Sequence, residues 1–370
     1  MRFSKEDTLM VKGVAILMLL FYHLFYYEPM FLEYHVNFAP FDLQSVMKTS
    51  RVFNICVSIF LFLTVYGLYK GYEKLEQQSG HALSGRQFLW ISLKRYFSLM
   101  LGYIAVFAAI LIFFFWDLDL KSAYGTGFRA IYYFLMDLTG LSKFFDFPCI
   151  NGSWWYLQLA ILIIFCMPFL YMAFRKIGYL LVPTILLLPY VISVDYMTDR
   201  YRYVVLFGLV FARADLFPKW SDWKIGGSKV FSCLVKTGIL LVSIGISAFL
   251  RQYEGDLVTE EVTYLAEGVL AVAIILLVYY LLGAMVHLRK VTELLGKHSM
   301  NMYFAHLFFS YYFVHIRGLI FSGKHFLVIY LLQILVVLGF SVVLELLKKL
   351  CRYQEMTNRV RMWCDQKIMS

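Results

Sequence analysis

Apolar runs of about twenty residues, the length of a membrane-spanning helix, recur along nearly the whole chain and are separated by short charged clusters. Of the 370 residues, 61% are hydrophobic and only 16% are charged, whereas a soluble domain is about 45–50% apolar and about 25% charged. The core of one soluble domain cannot bury so many apolar residues. The sequence therefore predicts an all-α, polytopic membrane helix bundle, and it excludes a soluble enzyme, a secreted disulfide scaffold and a disordered chain.

Ten stretches have the length and hydropathy that a membrane-spanning helix requires. The predicted spans are Leu9–Glu28, Val46–Tyr69, Phe97–Trp116, Ser153–Phe174, Gly178–Tyr196, Tyr203–Phe217, Val230–Leu250, Val262–His287, Ser299–His315 and Phe326–Leu347. A further apolar stretch, Phe128–Leu141, is too short to span easily, and we expect an interfacial or re-entrant helix there. The sequence thus predicts about ten transmembrane helices, with residues 1–347 as the transmembrane domain.

The positions of the basic residues predict how this bundle is oriented. If the first span starts inside, about two thirds of the 34 lysines and arginines fall in inner segments, as the positive-inside rule requires. Both termini are then cytoplasmic, and residues 348–370 form a basic cytoplasmic tail. Bulky residues follow the first apolar run and provide no cleavage site, so we expect that run to remain as the first span.

The composition disfavours two classes of ligand. A formal net charge of +10 would suggest nucleic acid as the partner of a soluble protein. Here the basic residues are loop residues that orient the bundle, so no nucleic-acid partner is expected. The six cysteines are scattered without a Cys-x-x-Cys pair, so the sequence predicts neither a metal site nor a disulfide framework.

Lys12 and His23, both in the first span, form the sharpest candidate site. Ionisable residues are costly within lipid and are therefore functional candidates. On a helix the two residues are about three full turns apart, so their side chains share one face about 16 Å apart along the axis. This arrangement suits a long donor with a phosphate-bearing head and a reactive far end. Alternatively, Lys12 snorkels to the interface and His23 is bonded to a neighbouring helix.

A second polar cluster opens the predicted ninth span. It runs from Gly296 to His306, with Ser299 as the expected N-cap and with Asn301 and Tyr303 as further hydrogen-bonding side chains. A capped helix with one packed histidine is the simpler explanation of the same residues.

Aromatic and basic residues provide weaker candidates. Trp154 and Trp155 enter the fourth span from outside, where they form either an aromatic belt or a stacking platform for a sugar. Lys94 and Arg95 belong to a basic inner loop that orients the chain, contacts anionic lipid or clamps a phosphorylated donor.

Two further charged residues stand alone in the sequence. Arg51 lies at the outer end of the second span, and Glu267 lies within the eighth. Neither has an obvious partner nearby in the chain, so we expect each to have a structural role.

The spacing Lys12-x10-His23 resembles the first-helix motif of the acyltransferase 3 family, the bacterial membrane O-acyltransferases that modify cell-surface glycans. Residues 56–68 are similar to the second-span pattern of that family, and Trp155-Tyr156-Leu157 resembles its Trp-Phe/Tyr-Leu span. Residues 296–306 resemble its late Gly-Lys-x-Ser…Tyr…His pattern. The resemblance covers nearly the whole chain, with the motifs in the order of the family.

The chain departs from the family pattern at three places. Thr64-Val65 stands where Ser-Gly is usual. The Arg-x-x-Arg element before the third span is present only as Lys94-Arg95, with Ser98 at the second arginine position. Gln158 replaces the glutamate of one branch of the family.

The resemblance implies transfer of an acyl group, usually acetyl, from cytoplasmic acyl-CoA to a hydroxyl of a cell-surface carbohydrate or glycolipid precursor. It implies a bacterial inner-membrane protein that uses acyl-CoA as a substrate and holds no permanent cofactor. Lys12, with Lys94 and Arg95, would hold the phosphates of the donor, and His23 would act as general base or acyl relay. Weaker candidates for orienting the substrate are Ser299, Asn301, Tyr303, His306, Trp154, Trp155 and Arg51.

The competing hypothesis is a transporter or exporter of a polysaccharide or of its lipid-linked precursor. Many spans that contain polar residues suit this class as well. Transporters often contain repeated halves, and the sequence shows no internal repeat.

Overall fold

The computed structural model describes residues 3–191, 196–253 and 258–369, and these residues are helical almost throughout. They contain no β-strand, although Asn37 and His325 form an isolated parallel bridge. The α-helices of the described ranges are α1 (Lys5–Phe25), α2 (Glu28–Tyr34), α3 (Leu43–Phe53), α4 (Cys56–Ser79), α5 (Gly85–Phe113), α6 (Leu120–Tyr124), α7 (Phe128–Leu138), α8 (Trp155–Ile177), α9 (Leu181–Leu187), α10 (Tyr196–Ala214), α11 (Leu216–Asp222), α12 (Lys229–Gln252), α13 (Glu260–Leu281), α14 (Val286–Leu307), α15 (Val314–Phe321), α16 (Phe326–Leu350) and α17 (Tyr353–Met369).

Within the described residues, seven helical stretches are long and apolar enough to cross a membrane. They are Lys5–Phe25, Leu43–Ser79, Gly85–Phe113, Gly152–Tyr190, Lys229–Gln252, Glu260–Ala284 and Phe326–Leu350. Val286–Tyr312 and Val314–Phe321 meet at 89° and provide an eighth if they count as one span. The chain is therefore an all-α, multi-pass membrane protein, as the apolar runs predict.

The predicted count of ten spans is not confirmed, because the fourth and fifth predicted spans fall in the single stretch Gly152–Tyr190 and the sixth falls in none of the seven. The fifth contains the seven-residue helix α9 between two short 3₁₀ turns, and its residues 192–195 lie outside the described residues. The sixth belongs to α10, whose 19 residues include Asp199, Arg200, Arg202 and Arg213. These charges make α10 too polar to count as a span by composition.

Local signals explain several helix boundaries. Ser84 and Gln87 form a capping box at the start of α5, which satisfies two otherwise unpaired backbone N–H groups. The Thr259 side chain accepts a hydrogen bond from the Val262 N–H at the start of α13. Helix α4 ends at Gly80, whose φ of 73° is the left-handed conformation that favours glycine.

Backbone contacts divide the chain into two units. The first unit contains Met1–Met18, Val52–His81 and Cys166–Lys297, and the second contains Leu19–Arg51, Ala82–Phe165 and His298–Ser370. Helices α1, α3, α8 and α14 contribute residues to both units.

In the first unit, α1 and α14 approach each other at glycines. A β-carbon at Gly13 would lie 1.9 Å from the carbonyl oxygen of Thr292, and Gly296 approaches the backbone of Leu9 equally closely. Only glycine allows two helix backbones to come this near. The two glycines therefore determine where the helices cross.

The first unit also buries an ion cluster around Glu267 in α13. One carboxylate oxygen accepts a 2.6 Å hydrogen bond from the Ser58 hydroxyl. The other lies 2.9 Å from Nε of Arg200 and 3.5 Å from Nε of Arg251. Glu267 is 1% exposed, and these contacts agree with the structural role expected of it. Its partners lie on other helices, far away in the sequence.

In the second unit, the basic tail forms α17 and packs along α5. Lys94 of α5 makes an ion pair with Asp365 of α17, and the rings of Trp90 and Trp363 meet edge to face with centroids 4.9 Å apart. Residues 353–369 are thus a helix that packs within this unit.

A buried carboxylate organises the connection between α5 and α8. Asp137 of α7 is 3% exposed and accepts hydrogen bonds from the Tyr124 hydroxyl at 2.6 Å and from the Ile150 N–H at 2.9 Å. Burial raises the pKa of this carboxyl group, although the hydrogen bonds oppose the shift. Helix α7 has 11 residues, about 16 Å in length, so it is too short to cross a bilayer.

Candidate active site

Two histidines from distant parts of the sequence meet in the second unit. His23 lies in the last turn of α1 and His306 lies near the end of α14. Their ring centroids are 4.8 Å apart, with the planes inclined at 50°. His306 is fully buried, whereas His23 remains partly exposed. The accessible ring therefore has a buried ring beside it.

Hydrogen bonding determines which nitrogen of His306 carries the proton. Nδ1 lies 2.6 Å from the backbone carbonyl oxygen of Tyr303. A carbonyl oxygen only accepts, so Nδ1 donates, and Nε2 of the neutral ring keeps its lone pair. Nε2 is buried and has no hydrogen-bond partner among the described residues. The site thus contains an unpaired nitrogen acceptor.

Gln333 of α16 provides a second buried acceptor in the same place. Its amide nitrogen donates to the carbonyl oxygen of His306 at 3.3 Å. Its Oε1 atom is buried and has no partner among the described residues. A buried polar atom costs free energy unless it is hydrogen-bonded. Two such acceptors around His306 are complementary to a ligand that brings a donor, such as a hydroxyl group.

The end of α14 changes its winding just after His306. Residues Phe308–Tyr312 form a π-helical turn, a feature that is often found at functional sites. Within it, Ser310 donates to the carbonyl oxygen of His306 at 2.9 Å, and Tyr311 donates to the carbonyl oxygen of His23. Because the last carbonyls of a helix have no partner within it, the Tyr311 hydroxyl completes the end of α1.

Two bonds in opposite directions join α14 to the 3₁₀ turn Gly152–Trp154 that precedes α8. The Tyr303 hydroxyl donates to the carbonyl oxygen of Ser153 at 2.6 Å, and Nε1 of Trp154 donates to the carbonyl oxygen of Phe304 at 3.1 Å. Trp154 is 3% exposed.

Both interpretations of Trp154 as a surface residue are therefore wrong. Its ring packs within the core against aromatic side chains of α5 and of the α14 end, namely Tyr103, Phe107, Phe304 and Phe308. It forms neither an aromatic belt nor an open platform for a sugar. Trp155, the first residue of α8, is only partly buried.

A network of side-chain hydrogen bonds connects α14 and α16 nearer the basic tail. Ser341 lies 2.8 Å from Nδ1 of His298 and accepts from the Asn301 amide at 3.0 Å. The same amide donates to Glu345 at 2.8 Å, and Lys348 donates to Glu345 at 2.8 Å. Asn301 is thus held in a structural network rather than directed at His23.

Ser299 does not cap a helix. Helix α14 begins at Val286, so Ser299 lies well inside it and is buried. The apolar run on which the span was predicted starts at Ser299, but the preceding residues 286–298 also have good helix formers and continue the same helix.

The basic candidates lie in separate places. Lys12 is partly buried on α1, eleven residues before His23 on the same unbroken helix. Lys94 is paired with Asp365, and Arg95 is exposed on α5. Arg51 is exposed near the end of α3. None of the last three is joined to the histidine pair by any described contact.

Sequence analysis missed Tyr311, Gln333 and the partners of Asn301. For α16 a signal was available. Gln333, Ser341, Glu345 and Lys348 recur at intervals of eight, four and three residues in an otherwise apolar helix, which is the spacing of one helix face. Tyr311 carried no such signal, because tyrosines are abundant in this chain.

The described residues contain no group of three or more His, Cys, Asp or Glu side chains that could hold a metal ion. No protein-family model matches the chain, and neither the curated proteins nor the solved structures include a match. The chemistry of the site must therefore be argued from its own residues. These are two adjacent imidazoles, two unpaired buried acceptors and a hydroxyl that holds the end of α1.

Proposed function

We propose that this chain is a membrane O-acyltransferase that moves an acyl group, acetyl in the first instance, from acyl-CoA to a hydroxyl of a carbohydrate or glycolipid. The observation that carries the proposal is the pairing of the partly exposed His23 with the buried His306, whose Nε2 is unpaired. The resemblance of the Lys12–His23 spacing and of residues 296–306 to the acyltransferase 3 family supports the same conclusion. The proposed location is a bacterial inner membrane.

In the proposed reaction His23 acts as the general base. The hydroxyl oxygen of the acceptor attacks the carbonyl carbon of the thioester while its proton passes to His23. The carbon–sulfur bond then breaks, and the thiolate of coenzyme A leaves and takes the proton back from His23. General acid–base catalysis of this kind contributes about 10²–10⁴-fold to the rate.

His306 and Gln333 act as positioning residues in this scheme. Their unpaired acceptor atoms provide hydrogen-bond sites for the hydroxyl of the acceptor or for the protonated ring of His23. Lys12, nearer the start of the same helix as His23, is the proposed contact for the donor phosphates. The donor is then a substrate that enters from the cytoplasmic side, and no metal is required.

The test uses the full chain, purified and reconstituted in lipid vesicles. Radiolabelled acetyl-CoA is supplied with a bacterial cell-surface glycan or glycolipid, and label in the glycan is measured. The His23→Ala variant should lose transfer by at least about 100-fold. The control is His287→Ala, which changes a histidine that is exposed on α14 and should retain full transfer. Unchanged transfer by His23→Ala would exclude His23 as the base.

The same vesicles address the transporter hypothesis. If the glycan or its lipid-linked precursor moves across the membrane without gaining an acyl group, the chain is a transporter. Acylation that depends on His23 supports the enzyme.

A further inference from the structure

A polar cavity of about 280 Å³ lies in the second unit between α5, α16 and the tail helix α17. Its volume is close to the lower limit of small-molecule sites, about 300 Å³. The polar side chains that line it include Ser98, Glu345, Lys348, Gln354, Asn358 and Arg361. The cavity is separate from the histidine pair, and the proposed function does not use it.

The wall that α17 provides is held in place at both ends. At its start, the Tyr353 hydroxyl donates to the carbonyl oxygen of Leu101 at 2.7 Å. At its far end, the Gln87 side chain of α5 donates to the carbonyl oxygen of Ile368 at 3.0 Å. With the Lys94–Asp365 ion pair between them, these contacts make the cavity a built feature of the fold.

The one carboxylate in the lining is already neutralised. Glu345 accepts hydrogen bonds from Lys348 and from the Asn301 amide, both at 2.8 Å. The Lys348 side chain is 10% exposed and donates a second bond to Oδ1 of Asn301 at 3.2 Å. An ammonium group has three donors, so one N–H of Lys348 remains for a ligand.

Arg361 adds a cation that no carboxylate balances. Its Nε donates to the Ser98 hydroxyl at 3.1 Å, and no acidic side chain of the described ranges pairs with it. Its terminal nitrogens are therefore available on the exposed rim of the cavity. The amides of Gln354 and Asn358 supply further donors beside it.

We infer that this cavity binds the phosphate group of a ligand. The lining holds two cations against one carboxylate, and the amides of Gln354 and Asn358 add N–H donors. A guanidinium presents parallel N–H groups that match phosphate oxygens, and hydrogen bonds between charged partners are about twice as strong as neutral ones. Lys348 binds from the depth of the cavity and Arg361 binds from its rim.

Two sources supply a phosphate at this end of the helices. One is a soluble phosphate ester such as coenzyme A, and the other is the headgroup of an anionic phospholipid. Phosphate binding here does not depend on the proposed acyl transfer, because it is measured without any acceptor or acyl group.

The experiment uses the full chain in nanodiscs of phosphatidylcholine. Calorimetric titrations are run with inorganic pyrophosphate, with coenzyme A and with its form lacking the 3′-phosphate. We expect pyrophosphate to bind and the Arg361→Gln variant to bind it about tenfold more weakly, as the loss of a charge-assisted hydrogen bond implies. The matched control is Arg359→Gln, which removes an exposed arginine of the same helix that does not line the cavity.

Each outcome of these titrations either supports or overturns phosphate binding in the cavity. Equal affinities of Arg361→Gln and Arg359→Gln, or no binding of any of the three compounds, would overturn the proposal. Because the loss of Lys348 also leaves Glu345 without its ion pair, the second variant is Asn358→Asp, which adds a negative charge to the lining and should also weaken binding. Coenzyme A that binds more tightly than pyrophosphate indicates a soluble ester. Pyrophosphate binding that is abolished by phosphatidylglycerol in the nanodisc indicates a lipid headgroup.

Discussion

Gly296 of α14 packs directly against Leu9 of α1: a β-carbon at Gly296 would lie only 1.9 Å from the Leu9 carbonyl oxygen. A backbone atom cannot move aside as the end of a flexible side chain can. His306 lies ten residues after Gly296 on α14, and His23 lies fourteen residues after Leu9 on α1. The same two helices, α1 and α14, thus carry both the glycine contact and the histidine pair.

The Gly296→Ala variant should therefore be destabilised. Forcing a methyl group into a well-packed contact costs about 1–3 kcal/mol, and thermal unfolding in detergent should show a lower Tm. Gly238→Ala in α12 is the control, since no atom lies within 4 Å of a β-carbon at that position. Alanine is the better helix former, so the control should unfold at the same or a higher temperature. Equal losses in both variants would contradict a specific helix contact.

The two nitrogens of His306 can be tested separately. The amide of asparagine occupies roughly the position of Nδ1, and that of glutamine roughly the position of Nε2. If the unpaired Nε2 positions the reacting groups, His306→Asn should retain the bond to the Tyr303 carbonyl yet transfer acyl groups about tenfold more slowly, a loss equivalent to one hydrogen bond.

His306→Gln should keep more activity than His306→Asn. The measurement is the kcat of acyl transfer, with thermal unfolding as the check on folding. The opposite order of activities would indicate that the Nδ1 contact matters more than Nε2.

The Tyr311→Phe variant removes the hydroxyl that binds the carbonyl oxygen of His23. The last turn of α1 then loses one hydrogen bond, which contributes about 1 kcal/mol, and His23 is held less firmly. We expect a several-fold fall in kcat with little change in KM or in the Tm. Tyr132→Phe, a change at a tyrosine that is 48% exposed on α7, is the control. A rise in KM alone would indicate that Tyr311 contacts the substrate instead.

Glu267→Gln should strongly destabilise the first unit. The substitution keeps a group that can accept from Ser58 but leaves Arg200 and Arg251 without their buried carboxylate. Removing one partner of a buried ion pair costs about 3–5 kcal/mol. For comparison, Glu355→Gln breaks the 4.0 Å pair with Arg352, whose side chains are 60% and 81% exposed, and such surface pairs contribute about 0–1 kcal/mol. Similar Tm values for the two variants would show that the cluster contributes little.

Asp137 predicts a pH dependence of stability. Burial raises the pKa of its carboxyl group in the folded chain, so the folded state holds the proton more tightly than the unfolded state does. The resulting stabilisation is complete below the ordinary aspartate pKa of about 3.9 and is lost as the pH rises through the raised pKa.

Thermal unfolding measured at a series of acidic pH values checks this sign. The wild-type Tm should fall with rising pH over that interval, and Asp137→Asn, which cannot ionise, should flatten this part of the profile. Asp42→Asn is the control, because Ser45 lowers the pKa of that exposed carboxyl group. A wild-type Tm that rises with pH over this interval, with the rise absent from Asp137→Asn, would contradict a raised pKa.

The membrane class and most of the span positions could be predicted from composition and run length alone. These features depend only on the cost of burying polar groups in lipid, which is a local property of each segment. The prediction was not confirmed at α10, which carries Asp199, Arg200, Arg202 and Arg213, or at α9, a seven-residue helix between short 3₁₀ turns. In both places tertiary contacts support helices that lipid alone would not.

The candidate site was predictable only in part, for a related reason. His23 stands out because an imidazole is rare in an apolar run, and His306 stands out for the same reason. No pattern within either run indicates that the two meet, or that Trp154 turns inward to bind the backbone of Phe304. Such pairings depend on how helices dock, and docking is determined by contacts such as that between Gly296 and Leu9.

The opposed bonds between α14 and the 3₁₀ turn that leads into α8 have a mechanical consequence. A single hydrogen bond acts as a pivot, but the Tyr303–Ser153 and Trp154–Phe304 bonds are two separate points of attachment, and together they prevent α14 from rolling about its own axis. Membrane helices adjust to a thinner or thicker bilayer chiefly by tilting. When α8 and α14 tilt together, α14 does not rotate about its own axis. The direction in which the His306 ring faces is therefore independent of the lipid composition around the helices.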